Sequence, residues 1–164
     1  MKEIQLSQGK VALVDDDDFE RLNKFKWCAL KNSRGYYAVR TCYKHGKRTV
    51  FMHKEILNAK DLLTDHIDHD CLNNQKHNLR LATGAQNNRN KISARNSRSR
   101  FKGVYLSKCK HNGRLYTYWR ASIAADGKVY NLGNHDNEVD AAMAYNTAAI
   151  KFHGYFAHLN DIPV

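Results

Sequence analysis

The 164 residues carry 42% apolar and 10% aromatic side chains with a single proline, which is globular sequence, for one domain or two small ones, and excludes a disordered tail. No apolar run approaches the length of a membrane span, and the opening MKEIQLSQGK lacks an apolar signal core, so a soluble cytoplasmic chain with no membrane partner is expected. Four scattered cysteines (Cys28, Cys42, Cys71, Cys109), none in a Cys-x-x-Cys pair, argue against a zinc ribbon or a disulfide framework.

The net charge of +11 is unevenly placed. Residues 1–70 hold 13 Lys/Arg against 11 Asp/Glu, residues 71–125 hold 12 Lys/Arg and no acid, and residues 126–164 hold 2 against 5. An ordinary solvated face mixes both signs, so the acid-free stretch reads as a surface for a polyanion. Nucleic acid is the expected partner, because clustered cations along phosphates gain from counterion release.

In chain order, residues 3–14 alternate apolar and polar and predict two short strands. Asp15 opens a short helix with acids in its first turn and Phe19, Leu22 and Phe25 at helical spacing. From Trp27 to Val50 strands return, with a hairpin turn near His45-Gly46-Lys47, and MHKEIL (52–57) begins another short helix. Residues 88–100, NRNKISARNSRSR, read as an exposed basic linker. Beyond it FKGVYL (101–106), TYWRASIAA (117–125) and KVYNLG (128–133) predict three strands, with Asp126-Gly127 as a hairpin turn. Asp136 is placed to cap a helix running to about Phe152, with Gly154 as its C-cap.

The segment TDHIDHDCLNNQKHNLRLATGAQNNRN is dense in His, Asp and Asn and has few apolar anchors, the composition of a site rather than a core. Cleaving a phosphodiester needs a water deprotonated near neutral pH and a cation that stabilises charge on phosphate and leaving oxygen. His66 suits the first task, since its ordinary pKa lies near the working pH. The carboxylate of Asp65 and the amide of Asn87 suit the second, as hard oxygen donors for magnesium or manganese. Each residue alone has a plainer reading: an Asp-His pair is ordinarily a surface hydrogen bond, and Asn-rich turns serve the backbone, as Asn73 and Asn74 are expected to do. A zinc site drawing on His66 with Asp68, His69 and Asp70 is the lesser alternative.

The order DHIDHD, LNN, NLRLAT, QNN over residues 64–88 resembles the ββα-metal core of HNH endonucleases, especially those of phages and group I introns. The resemblance implies that Asp65 and Asn87 hold one divalent ion, that His66 is the general base, and that Asn78 fixes the loop presenting it. The upstream MHKEI segment, with His53, resembles the helix that precedes this core in many members. Two departures stand out: Thr64 where an aliphatic residue is common, and Asn87 where the motif's last letter is often His.

FKGVY, YWRASI, YNLGNHD and EVDAAMAYNTAAIKFHGYFAHLN, within residues 99–160, resemble the Apetala-type (ethylene-response-factor) DNA-binding domain, whose three-stranded sheet enters the major groove with a helix behind it. The resemblance makes Trp119 and Arg120 the best contact candidates, with contact and core equally open for Trp119 because a strand shows one face to each. Tyr105 stands where plant members place a base-reading Arg, so their sequence preference does not carry over. Arg100, Lys102, Lys108, Lys110, Arg114 and Lys128 are candidate phosphate partners, and the linker residues Arg89, Lys91, Arg95 and Arg98 are candidates to track the DNA backbone.

The reading is an α+β protein: a small β-rich segment and HNH core over 1–88, a basic linker over 89–99, and a three-stranded antiparallel sheet packed on one helix over 100–164. It implies a homing-type, metal-dependent endonuclease that nicks double-stranded DNA as a monomer or weak dimer, with no small-molecule substrate. Its rivals are a catalytically inactive DNA-binding regulator, and an RNA-binding accessory protein that would explain the charge but not the metal-type cluster.

Overall fold

The computed structural model describes residues 1–44, 46–59, 62–92 and 97–163; His45 of the expected turn and Arg95 of the expected linker lie outside them. The chain is mixed α and β, with small antiparallel sheets, and divides into two compact units, Met1–Asn87 and Asn88–Val164. No described helix is long and apolar enough to cross a membrane.

In the first unit β1 (Lys2–Gln5) and β2 (Val11–Val14) form a hairpin, and β3 (Cys28–Asn32), β4 (Gly35–Cys42) and β5 (Arg48–Phe51) form a sheet in sequential order. Between the two lies α1 (Asp16–Leu22), with three acids in its first turn against the helix dipole. Phe25, expected on this helix, lies beyond its end and is exposed. The core comprises Ile4, Val14, Leu22, Trp27 and Met52 with small alanines between them. The Trp27 indole N–H satisfies the Leu22 carbonyl at 2.8 Å, which lets this large ring be buried without a lost hydrogen bond. The short helix α2 (Met52–Ile56) follows β5 at once.

A second ribbon pairs β6 (Leu63–His66) with β7 (Leu79–Ala82), and α3 (Gly84–Arg89) follows one residue after β7. Thr83 starts that helix with a reciprocal cap: its Oγ1 accepts from the Gln86 N–H at 3.2 Å, and Gln86 Oε1 accepts from the Thr83 N–H at 2.8 Å.

The second unit is a sheet in the order β10 (Lys128–His135), β9 (Arg114–Ala125), β8 (Val104–His111), with α4 (Glu138–His153) packed on one face. Phe101, Val104, Ala121, Ile123, Ala141, Tyr145 and Ala149 are its core; alanines on α4 let helix and sheet approach closely. Two expectations are corrected. Asn137, not Asp136, caps α4, because its Oδ1 accepts the Asp140 N–H at 2.8 Å. The stretch read as an exposed linker is partly packed: Asn90 and Ser99 are buried, and Ser99 Oγ donates to Glu138 at 2.7 Å while accepting the Phe101 N–H.

Candidate functional site

Asp65 and His66 end β6, and both are buried. Cross-strand register sets Asp65 opposite Arg80 and His66 opposite Leu79. Arg80 donates to Asp65 Oδ2 from Nε at 2.8 Å, and its Nη2 lies in ion-pair contact with the same oxygen at 2.7 Å, so the carboxylate is held by a buried guanidinium. Burial pushes the His66 imidazole below its ordinary pKa, partly offset by a side-chain hydrogen bond with Asn74 and by the charges of Asp68, Asp65 and Asp70. The ring is therefore uncharged at neutral pH and able to accept a proton.

The loop after His66 is closed by its own side chains. Asn78 is buried; its Oδ1 accepts the Asp68 N–H at 3.0 Å, and its Nδ2 donates to Asp68 Oδ1 and to the Asn73 carbonyl, each at 2.8 Å. Asp68 Oδ1 also accepts the Asp70 N–H, and Asp68 Oδ2 accepts from Asn73 Nδ2. The Ile67 N–H donates to the Asn78 carbonyl at 2.9 Å. Asn78 thus acts on the backbone that leaves His66 rather than on the ring.

Residues of β2 and the start of α1 buttress this loop. The Leu13 N–H donates to the Leu72 carbonyl at 2.9 Å, and the Asn74 N–H donates to the Leu13 carbonyl at 2.8 Å. Asp15 accepts the Lys76 N–H at 2.7 Å and Gln75 Nε2 at 3.3 Å, and Lys76 reaches Asp18 at 3.0 Å. Asp15 was expected only to open a helix; its carboxylate instead ties that helix to the loop.

Rings from two further elements gather at His66. His53 on α2 meets it with centroids 5.1 Å apart and planes at 85°, and Tyr37 on β4 lies at 6.1 Å. Asn74, expected only to serve a turn, is fully buried, with Nδ2 donating to the Leu72 carbonyl at 3.0 Å and its amide close enough to hold up the His66 pKa against burial. Arg80, His53, Tyr37 and Asn74 are the residues that sequence reasoning passed over. Only MHKEI, which holds His53, carried a signal.

Asn87 sits on α3, its N–H bonded to the Thr83 carbonyl at 2.9 Å. Among the described residues no three His, Cys, Asp or Glu gather as a metal cage. The donors that sequence pointed to, one carboxylate and one amide, have the chemistry for a hard ion that keeps much of its shell as water and substrate oxygen.

In the second unit, alternation divides the basic and aromatic residues between two faces. Val104, Ala121, Ile123 and Ala125 turn to α4, and the half-buried Trp119 packs against the same cluster, on the core side of the sheet. Tyr105, Arg120 and Asn134, register partners across the three strands, face the other way. Arg120 donates from Nη2 to the Tyr118 hydroxyl at 3.1 Å and from Nε to Asn134 Oδ1 at 3.3 Å. Beyond His135, which pairs with Trp119, β8 and β9 continue as a two-stranded arm carrying Lys108, Lys110 and Arg114, all exposed. Lys108 and Lys110 share the parity of Val104 and so lie on the helix side of that arm. Arg98, Arg100, Lys91 and Lys128 are also exposed.

Two expected phosphate partners are engaged elsewhere. Arg89 pairs with Asp126 at 3.0 Å, and the half-buried Lys102 donates to the Arg89 carbonyl. Burial lowers the Lys102 pKa to about 8, with the charge of Lys91 adding to the effect.

With this geometry in place, the chain compares with two known proteins. It is 35% identical over 160 residues to an uncharacterized HNH endonuclease of Acanthamoeba polyphaga mimivirus, covering 94% of this chain and 77% of that one. It is 30% identical over 125 residues to Protein 3.8 of Escherichia phage T7, covering 73% of this chain and 98% of that one. No protein-family profile matches the chain, and no solved structure does. The chain belongs to the HNH endonuclease family.

Proposed function

We propose that the chain is a homing-type endonuclease that hydrolyses phosphodiester bonds of double-stranded DNA with one divalent ion, magnesium or manganese, nicking one strand as a monomer. In this reading residues 64–88 are a ββα-metal core, and the second unit is an Apetala-type module that carries the DNA. The observation that supports it most is the buried, uncharged His66 beside Asp65 at the end of β6, in a ribbon that leads directly into the helix bearing Asn87.

The His66 imidazole takes a proton from the attacking water, and its depressed pKa keeps it in the accepting form. Asp65 and Asn87 would hold the ion. Bound there, the ion would stabilise charge on the scissile phosphate and the departing 3′ oxygen. Asn78 keeps the loop behind His66 in one conformation, and Arg80 keeps the Asp65 carboxylate from turning. The open sheet face, with Tyr105, Arg120 and Asn134 in one row, lies in the major groove, which admits a β-sheet of this width. Arg98, Arg100, Lys91, Lys108, Lys110, Arg114 and Lys128 contact phosphates and position the protein without reading sequence.

One observation favours the rival reading, a DNA-binding regulator without catalysis: Arg80 occupies a carboxylate oxygen of Asp65. Supercoiled plasmid distinguishes the two. Nicking that requires magnesium or manganese, is abolished by chelator, and disappears in His66→Ala while DNA binding persists establishes the nuclease. Intact plasmid with every divalent ion tried, alongside tight duplex binding, establishes the regulator.

A further inference from the structure

We propose that His53 is a positioning residue for this reaction: its ring, set edge-to-face against the His66 imidazole, fixes the angle from which His66 meets the water. The inference rests on the reading of His66 as the base.

The need for such a residue comes from the side chain itself. The final torsion of a histidine is soft and broad, so the backbone that fixes Cβ does not fix the plane of the ring. Asn78 and the N-terminal buttress settle the backbone around His66. The plane is then set by what touches the ring itself, the Asn74 amide and the rings packed on it. His53 supplies a ring 5.1 Å away and at 85° to the His66 plane, the arrangement in which an electron-poor edge meets an electron-rich face.

His53 is itself held on several sides. Tyr37 meets it at 5.6 Å and 66°, and Phe51 at 5.4 Å and 38°. Its helix is tied down through Glu55, which accepts from Arg40 at 2.9 Å and pairs with Arg21 at 3.7 Å. His53 Nδ1 is buried with no hydrogen-bond partner among the described residues, so ring contacts, not a bond through that atom, seat the side chain. Burial, then the nearby His66 and Lys54, lower its pKa to about 3. At neutral pH it is thus an uncharged aromatic wall. Base catalysis is sensitive to small misplacements, and a round aliphatic side chain would fill the space without selecting the plane.

The test uses the full chain on supercoiled plasmid with magnesium, comparing His53→Phe, His53→Leu and His66→Ala. We expect His53→Leu to lose about tenfold in kcat with KM unchanged, and His53→Phe to stay within about twofold of the parent, as an aromatic-pair contribution allows. The imidazole 1H–15N signals of His66 should keep one sharp set of shifts in His53→Phe and broaden or shift in His53→Leu. If His53→Leu fails to fold, His53→Gln takes its place, with the same losses expected. The proposal is overturned if the folded aliphatic or amide variant cleaves at the parent rate, or if His53→Phe is as slow as that variant. Full activity in His66→Ala would instead sink the reading of the base. A dead His66→Ala beside a normal His53→Leu would remove this inference alone.

Discussion

Arg80 and Asp65 are direct partners across the β6–β7 ribbon, and both guanidinium contacts, at 2.8 and 2.7 Å, fall on a single carboxylate oxygen. Each side chain is only 7% exposed. The attraction in such a pair is offset by the cost of drying both charges, so its net worth is small, but removing one partner strands the other charge and costs about 3–5 kcal/mol. Arg80→Met should therefore lower stability by about that amount in urea denaturation. The double change Arg80→Met with Asp65→Leu should recover most of the loss. A single-variant loss below about 1 kcal/mol would show that water reaches the pair.

The two buried histidines give the fold a directional pH dependence. The folded His53 pKa is about 3, below the ordinary 6.5, and burial moves His66 the same way. As pH falls below 6.5 the unfolded chain takes up protons that the native state refuses, so stability is full above that pH and is lost downward toward 3. His53 alone should remove about 2–3 kcal/mol between pH 7 and 4.5, at 1.36 kcal/mol per unit. Urea midpoints at pH 7, 5.5 and 4.5 should fall steeply in the parent and less in His53→Phe. Equal slopes in the two would mean that His53 is protonated in the folded state.

Sequence carried the composition of the site but not its pairings. An acid-free tract, a hairpin at Asp126-Gly127 and the order Asp-His, Asn, Asn are local patterns, and they can be read from neighbours along the chain. The Asp65–Arg80 pair depends on the register of two strands separated by the whole 67–78 loop, and no local periodicity encodes it. His53 and Tyr37 reach His66 from α2 and β4 only after the first unit has closed. The same limit explains the basic stretch: charge alone placed Arg89 and Lys102 on the DNA, whereas folding gives one to Asp126 and turns the other onto a carbonyl. Alternation left Trp119 and Arg120 on opposite faces, but only the position of α4 says which face is the core.

That opposition gives paired expectations. Arg120 is exposed on the open face with its guanidinium aligned by Tyr118 and Asn134. Arg120→Ala should weaken duplex binding about tenfold and reduce its salt slope by about one while leaving the melting temperature alone. Trp119 packs against the cluster formed by Phe101, Val104, Ala121, Ala141 and Ala142, so Trp119→Ala should cost about 2–3 kcal/mol of stability and leave the salt slope as it was. Reversed effects, with Trp119→Ala flattening the salt slope at unchanged stability, would return Trp119 to the DNA-facing side.

Gly103 tests whether the two units depend on each other in the proposed reaction. Its φ is +74°, and a Cβ built there would run into the Tyr145 ring and lie 2.7 Å from the Ser122 carbonyl oxygen. Tyr145 is buried and has no room to yield, and the Gly103 carbonyl accepts the Ser122 N–H at 2.9 Å, so the backbone is pinned as well. Overpacking and an unfavourable φ act together in Gly103→Ala, at a cost of about 3 kcal/mol or more. For a unit of this size that is a fall of roughly 12 °C or more in melting temperature. Asp65, His66, Asn78 and Asn87 all belong to the other unit. Near the lowered melting point, Gly103→Ala should therefore lose duplex affinity in gel-shift titration and still nick plasmid in magnesium when enzyme is supplied in excess. Loss of nicking at saturating enzyme, with the first unit still folded by circular dichroism, would mean that the proposed cleavage by the first unit requires the sheet of the second.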